Sequence, residues 1–310
     1  MKTDFFEFSS EYKFLSAVLW LPEIEPKAVL QITHGMTEHI GRYEEFAEQM
    51  TAIGIAVCGF DLRGHGKNGN DEEVASFGEN GWQHTLDDMR KFFEKMKKRI
   101  PNVPYFMMGF SLGSFLLRDY LSLYPNDVDG AIIIGTGYQP AWILSIMKAI
   151  VKREWKKVGF DNTTTLVKKL SFETYNQNFQ PNETDSDWLC ADKDELYEYM
   201  KDPFCRKYIS AGLFWQLLDS MKRTGKRKAA SAWKKDMPVL LLSGENDPVG
   251  NNGRGVRAIC QQLRKLGMTD ITMQLFPNAR HDLLHEKNSG NADAAIKSIL
   301  HWMGNYQSCN

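Results

Sequence analysis

The sequence predicts an α/β chain: a mostly parallel central sheet with helices on both faces, interrupted by an inserted, mainly helical segment. Three observations carry this. Short apolar, β-rich runs alternate with helical patterns up to about residue 139; the alternation stops over residues 140–236; it then resumes to the end of the chain. Alternating strands and helices imply parallel βαβ units covered on both faces, and a pause followed by resumption implies an insertion within one core. The expected division is therefore a core of residues 1–139 and 237–310 with a helical cap, or lid, at 140–236.

Residues 14–21 and 28–33 read as strands, separated by a turn that carries Pro22 and Pro26. Phe46, Met50 and Ile53 fall on one helical face that ends at Gly54, and residues 55–60 form a buried strand. A helix around 86–96, a strand at 105–108, a helix with Phe115, Leu116, Tyr120 and Leu123 on one face, and a strand at 131–134 follow. The insertion is rich in aromatics and lacks a convincing buried strand. Beyond it come a strand at 239–243, a helix at 256–266, a strand at 271–276 and a last helix carrying Ile296, Ile299, Leu300 and Met303.

Hydrophobic residues make up 43% of the 310-residue chain, enough for a sizeable core. The formal net charge of -1 provides no positive field to collect phosphates, which argues against nucleic-acid binding. The start of the chain is an aromatic-rich alternating run broken by Glu7 and Glu11, unlike a secretory signal, and no apolar stretch is long enough to span a bilayer. Cys58, Cys190, Cys205, Cys260 and Cys309 are odd in number and scattered, so free thiols in a reducing cytoplasm are expected.

The strongest local signal is Gly109-Phe110-Ser111-Leu112-Gly113, a GxSxG between a strand and a helix. A sharp strand-to-helix reversal holds the serine hydroxyl exposed, and small flanking residues let neighbouring backbone approach. The helix that follows directs its N-terminus at the site, where amides favour developing negative charge. A serine hydroxyl needs a base, and a serine on a strand-to-helix elbow of this kind is served by an acid and a histidine, in that order, on loops after the last strands. Asp247 follows the strand at 239–243 and His281 follows the strand at 271–276. His281 is thus the expected base and Asp247 its orienting acid, with Glu245 an alternative acid. Asp282 reads as a solvated loop charge. His281 and His285 stand four apart but lack the internal glutamate of a zincin helix, so no metal is expected.

Two amides must face the oxyanion. One is expected from Leu112 and the other from Met36, in the loop His34-Gly35-Met36 after an early strand. Gly64-His65-Gly66-Lys67-Asn68-Gly69 formally matches GxGxxG, but no apolar-faced helix follows, so it reads as a turn beside the site.

With these residues assembled, the chain resembles the monoacylglycerol lipase and lysophospholipase family of α/β-hydrolases. His34-Gly35-Met36-Thr37-Glu38-His39 with Arg42-Tyr43 is similar to the family's oxyanion segment, and Asp61-Leu62-Arg63-Gly64-His65-Gly66 to its DxRGHG turn. Asp247-Pro248-Val249-Gly250 and Ala279-Arg280-His281 resemble its acid and histidine loops. Asp187-Trp188-Leu189 and the segment from Tyr199 to Cys205 resemble parts of its cap. The resemblance implies carboxylic-ester hydrolysis, often of lipids with one acyl chain, without metal or organic cofactor. Phe110 and Leu112 depart from the histidine and methionine common in relatives, which affects the pocket floor.

Phe110, Trp142 and Ile143 are candidates for substrate contact. Trp142, Ile143, Ile146, Met147, Ile150 and Val151 form a helical stripe among Lys148, Lys152, Arg153, Lys156 and Lys157. Such a helix suits either peripheral contact with an anionic membrane, an acyl tunnel, or packing on the core. Residues 140–236 hold 18 Lys and Arg against 13 Asp and Glu, so the insertion is the basic part of a nearly neutral chain. A different acyl substrate (thioester, peptide, amide or non-lipid ester) and a non-catalytic binding protein on the same fold are the alternatives.

Overall fold

The structure, a computed structural model, describes residues 1–10, 13–69, 73–226 and 228–306. Cys309 lies outside the described residues. Eight strands form the central sheet: β1 (Lys2–Ser9), β2 (Phe14–Leu21), β3 (Ala28–Thr33), β4 (Ile55–Phe60), β5 (Tyr105–Phe110), β6 (Gly130–Ile134), β7 (Val239–Gly244) and β8 (Ile271–Phe276). Their spatial order is β1-β2-β4-β3-β5-β6-β7-β8. β1 and β2 pair antiparallel, β2 meets β4 antiparallel, and every later neighbour is parallel.

Side-chain alternation divides the interior. Odd-numbered residues of β5 and β6 (Tyr105, Met107, Ala131, Ile133) join one buried cluster, while Phe106, Met108, Ile132 and Ile134 join the other. A strand covered on both faces is apolar at nearly every position. That is why 28–33 and 55–60 could be bounded from sequence, and their limits coincide with β3 and β4; the limits of β8 also match the predicted 271–276, although this strand closes the sheet and is only partly buried. β1 is an addition to the sequence reading. Its alternation is interrupted by Lys2, Asp4 and Glu7, because an edge hairpin buries little more than Phe8.

Helices α1 (Glu44–Ala52), α2 (Gly81–Arg99) and α3 (Leu112–Leu123) follow β3, β4 and β5 in turn. α1 buries Phe46 and Met50 on one face of the sheet, and α2 buries Leu86, Met89, Phe92 and Met96 on the other. α2 begins five residues before the predicted start, since its polar first turn (Gln83, His84) conceals the buried Trp82.

Among the described residues, 135–238 add no strand to the central sheet. They hold α4 (Ala141–Val158), short helical turns over Thr165–Phe179, α5 (Lys193–Lys201) and α6 (Ala211–Thr224). A two-residue pairing joins Tyr208–Ile209 to Val74–Ala75. The chain then returns to β7, α7 (Arg254–Lys265), β8 and α8 (Asn291–Gly304). The α4 stripe is split. Leu144 and Val151 are buried and Met147 packs on the core, whereas Trp142, Ile146 and Ile150 are exposed by 67%, 54% and 40%. Among the described residues, no helix is long and apolar enough to cross a membrane.

Parallel register aligns the carboxyl ends of the inner strands: Thr33 opposes Gly109, Phe110 opposes Ile134, Ile134 opposes Leu242, and Gly244 opposes Phe276. Loops from distant parts of the sequence therefore meet along one edge, where ligands of open α/β sheets bind.

The turn after β4 is anchored from below. Arg63 donates Nε to Asp88 Oδ2 (2.6 Å) and Nη2 to Asp88 Oδ1 (3.0 Å), with a further bond from Nη2 to Ser10 Oγ (2.8 Å). Both partners are buried. Removing one member of a buried, bidentate pair strands the other charge. Urea unfolding of Arg63→Ala should show a loss of about 3–5 kcal/mol.

Candidate active site

Ser111 sits at the junction of β5 and α3 with φ of +49° and ψ of −116°, a conformation that side chains rarely adopt. Its amide donates to Ile134 O (3.0 Å) on the neighbouring strand. The reversal requires glycine on both sides. A Cβ at Gly113 would meet Thr33 O at 2.0 Å, and one at Gly109 would meet Gly113 O at 2.4 Å. These contacts are to backbone, so they cannot yield by a side-chain rotation.

The loops after β7 and β8 bring their side chains to this serine. Ser111 Oγ lies 2.8 Å from His281 Nε2, and His281 Nδ1 lies 2.9 Å from Asp247 Oδ1. Asp247 also accepts from the Val249 amide (2.9 Å) and from Ser243 Oγ (3.3 Å). With Asp247 accepting, Nδ1 carries the proton and Nε2 is free to accept from the serine hydroxyl. Asp247 is fully buried and His281 nearly so. Of the two acids left open by the sequence, Asp247 makes the contact, while Glu245 points to solvent as an exposed residue.

The expected oxyanion positions flank the serine. Leu112 opens α3 directly after it. The loop holding Met36 packs against the elbow: a Cβ at Gly35 would lie 2.9 Å from the Phe110 ring, and Gly113 faces the carbonyls of Thr33 and His34. His34 is neutral in this setting, since burial depresses its pKa to about 3. Its Nε2 accepts from the Leu62 amide (2.9 Å), so Nδ1 donates to Gly35 O (2.8 Å) and ties the loop to the DxRGHG turn. Among the described residues, no helix of the dinucleotide-binding kind opens at Gly64–Gly69; residues Gly66–Asn68 make one short 3-10 turn.

Asp282 is a correction. It is 2% exposed, where the sequence suggested a solvated charge, and it anchors a buried chain of ion pairs. Arg42 Nη2 donates to Asp282 Oδ2 (2.9 Å) and Nη1 to Glu38 Oε2 (2.5 Å). Glu38 Oε1 in turn accepts from the Gly35 amide (2.5 Å) and Tyr43 Oη (2.9 Å). His285 Nδ1 pairs with Asp282 Oδ1 (2.7 Å) rather than converging with His281. The network therefore links the residue beside His281 to the loop beside Ser111. Its sequence trace was the i, i+4 spacing of Glu38 and Arg42; the long-range partner Asp282 leaves no local trace.

Aromatic rings enclose the imidazole. Phe110 lies 5.0 Å and Trp188 5.2 Å from the His281 ring, centroid to centroid. Trp188 comes from the segment between β6 and β7, and its neighbour Tyr175 (5.1 Å) is pushed up to about 12 by burial and the facing Asp247 charge. Together they leave Ser111 only 9% exposed. Of the candidate substrate contacts, Phe110 is at the site, Ile143 is half-buried on α4, and Trp142 faces solvent.

A family model described as serine aminopeptidase, S33 (Hydrolase_4) matches residues 24–288. The chain belongs to this hydrolase family. The monoglyceride lipase homolog of Monkeypox virus is 26% identical over 302 residues, covering 96% of this chain and 97% of that protein. The Mus musculus monoglyceride lipase is 24% identical, covering 95% and 88%. Among solved structures, a thermostable carboxyl esterase from Bacillus coagulans superposes with a TM-score of 0.87 at 21% identity, covering 99% of each chain. The chain thus has the α/β-hydrolase fold throughout its described length.

Within this hydrolase, the Asp282 carboxyl titrates unusually. Burial alone would raise it, but His285 and Arg42 hold it well below the ordinary carboxylate range. A depressed folded value gives stability that is present above the unfolded pKa and lost as pH falls through the folded one. Asp282→Asn should therefore cost about 3 kcal/mol at neutral pH. The gap to wild type in urea unfolding should narrow below about pH 4.

Proposed function

We propose that the protein hydrolyses carboxylic esters of single-chain lipids, monoacylglycerols first among them, through an acyl-enzyme on Ser111. The observation that carries the reading is the unbroken line from Ser111 Oγ through His281 (2.8 Å) to Asp247 (2.9 Å). Similarity to monoglyceride lipases over nearly the whole chain supports the substrate class.

In this reading Ser111 Oγ attacks the ester carbonyl while its proton passes to His281 Nε2. Asp247 steadies the imidazolium through Nδ1. The Met36 and Leu112 amides hold the oxyanion. Collapse expels the alcohol, which takes the proton from His281. Water, deprotonated by the same imidazole, then attacks the acyl carbon, and release of the acid returns the proton to Ser111.

Residues 140–236 act as a cap in this account. With Trp188 against His281 and Ser111 little exposed, the substrate reaches the serine only when this aromatic cover shifts. The exposed Trp142, Ile146 and Ile150, spaced one helical turn apart on α4 among Lys152, Arg153 and Lys156, would rest on an anionic bilayer from which such a substrate is drawn. The family description as an aminopeptidase favours a second reading, cleavage of an N-terminal amide. That substrate needs a free carboxylate for its ammonium, and the buried carboxylates around the site, Glu38, Asp247 and Asp282, are each already engaged.

Two experiments follow from this reading. Purified Ser111→Ala should lose turnover of a monoacylglycerol on the order of a millionfold; wild-type rates would exclude Ser111 as the nucleophile, and faster release of amine from aminoacyl amides would favour the second reading. Flotation with phosphatidylserine vesicles should carry wild type upward and leave Trp142→Ser/Ile146→Ser below. Equal flotation of both, or of neither, contradicts the membrane-facing role of α4.

A further inference from the structure

Three side chains of metal-ligating type converge on the flank of the site, outside the triad. His39 Nε2 lies 2.8 Å from Asp202 Oδ2. Cys205 completes the group, and one ligand atom from each residue lies within 4.8 Å of the others. His39 follows the Met36 loop, whereas Asp202 and Cys205 belong to the segment that ends α5. Asp202-Pro203-Phe204-Cys205 is a tight turn, in which the Cys205 amide donates to Asp202 O (3.1 Å) and the Phe204 amide to Asp202 Oδ1 (2.7 Å). Such a turn presents residues i and i+3 to one point, as the paired ligands of short zinc motifs are presented. All three residues are partly buried, which shields the cluster without sealing it from solvent.

We propose that His39, Asp202 and Cys205 form a zinc-binding site that joins the Met36 loop to the segment after α5. Imidazole, carboxylate and thiolate give nitrogen, oxygen and sulfur donors, a set that suits Zn²⁺ and, through its sulfur, disfavours Mg²⁺ and Ca²⁺. Zinc bonds of about 2.0–2.3 Å require small shifts of the three ligand atoms, with water in the fourth position. The thiol proton leaves to solvent on binding. His39 Nδ1 now accepts from the Gly41 amide (3.2 Å), so presenting Nε2 to the metal moves the ring proton to Nδ1 and releases that amide. Gly41 is exposed, and water can take over the bond.

α5 and the segment after it already hold the Met36 loop, through the hydroxyl pair of Tyr199 and Thr37 (2.7 Å) and through Arg206 N–H to Thr37 O (2.8 Å). Zinc would be one more link across the same seam. It is a clamp, separate from the hydrolytic chemistry, and does not depend on the substrate.

The test uses the reduced, metal-free full-length protein. Calorimetric titration with Zn²⁺ should show one strong site per chain, Zn²⁺ should raise the melting temperature, and Co²⁺ should give a near-ultraviolet thiolate-to-metal charge-transfer band. Cys205→Ser should abolish the band and the thermal shift and weaken Zn²⁺ binding at least tenfold. His39→Gln should weaken binding at least tenfold while keeping the melting temperature of the metal-free protein. Absence of a cobalt–thiolate band in wild type, or Zn²⁺ affinity unchanged in either variant, overturns the proposal.

Discussion

The backbone contact between Gly113 and the Thr33 carbonyl is the constraint on which the site depends. It sets how closely α3 can start beside the end of β3, and so how the elbow and the Met36 loop share one space. At this turn Ser111 takes a φ of +49°, and its hydroxyl meets His281 Nε2 at 2.8 Å. The strain is borne by fully buried strands on either side, β3 and β6, whose register leaves the turn no slack. The imidazole then has one direction to face.

A second layer of buried charge keeps the two halves of this edge in step. Glu38 accepts from the Gly35 amide beside the serine, Arg42 bridges Glu38 to Asp282, and Asp282 is the neighbour of His281. Buried ion pairs add little net stability compared with apolar packing, but they are directional and costly to break one partner at a time. Here they couple the Met36 loop on one side of the serine to the His281 loop on the other. An error in the position of one loop is thereby resisted by the other.

The meeting of the three side chains was more legible in the sequence than its support. Ser111, Asp247 and His281 could be expected to converge because the fold places a serine at a strand-to-helix turn and later partners at strand ends, and β5, β7 and β8 were readable as strands. Asp247 was preferred to Glu245 because it precedes Pro248 on a fixed turn, and of the two only Asp247 is turned inward. Asp282 was misread because charge beside a loop histidine suggests solvent, and its partner Arg42 is 240 positions away. Trp188 stood in the cap-like run Asp187-Trp188-Leu189, but its contact with His281 had no local trace: it arises where a turn outside the sheet folds back over the strand ends. The exposed half of the α4 stripe escaped for a related reason. Periodicity marks an apolar surface but does not say which part of it finds a neighbour.

Whether the three side chains work as one proton-transfer unit is best measured by the reactivity of Ser111 itself. A fluorophosphonate probe followed by peptide mass spectrometry should place one label per chain on Ser111, with the rate of labelling falling by several orders of magnitude in folded His281→Ala. Labelling at another residue, or an undiminished rate in that variant, would contradict the account.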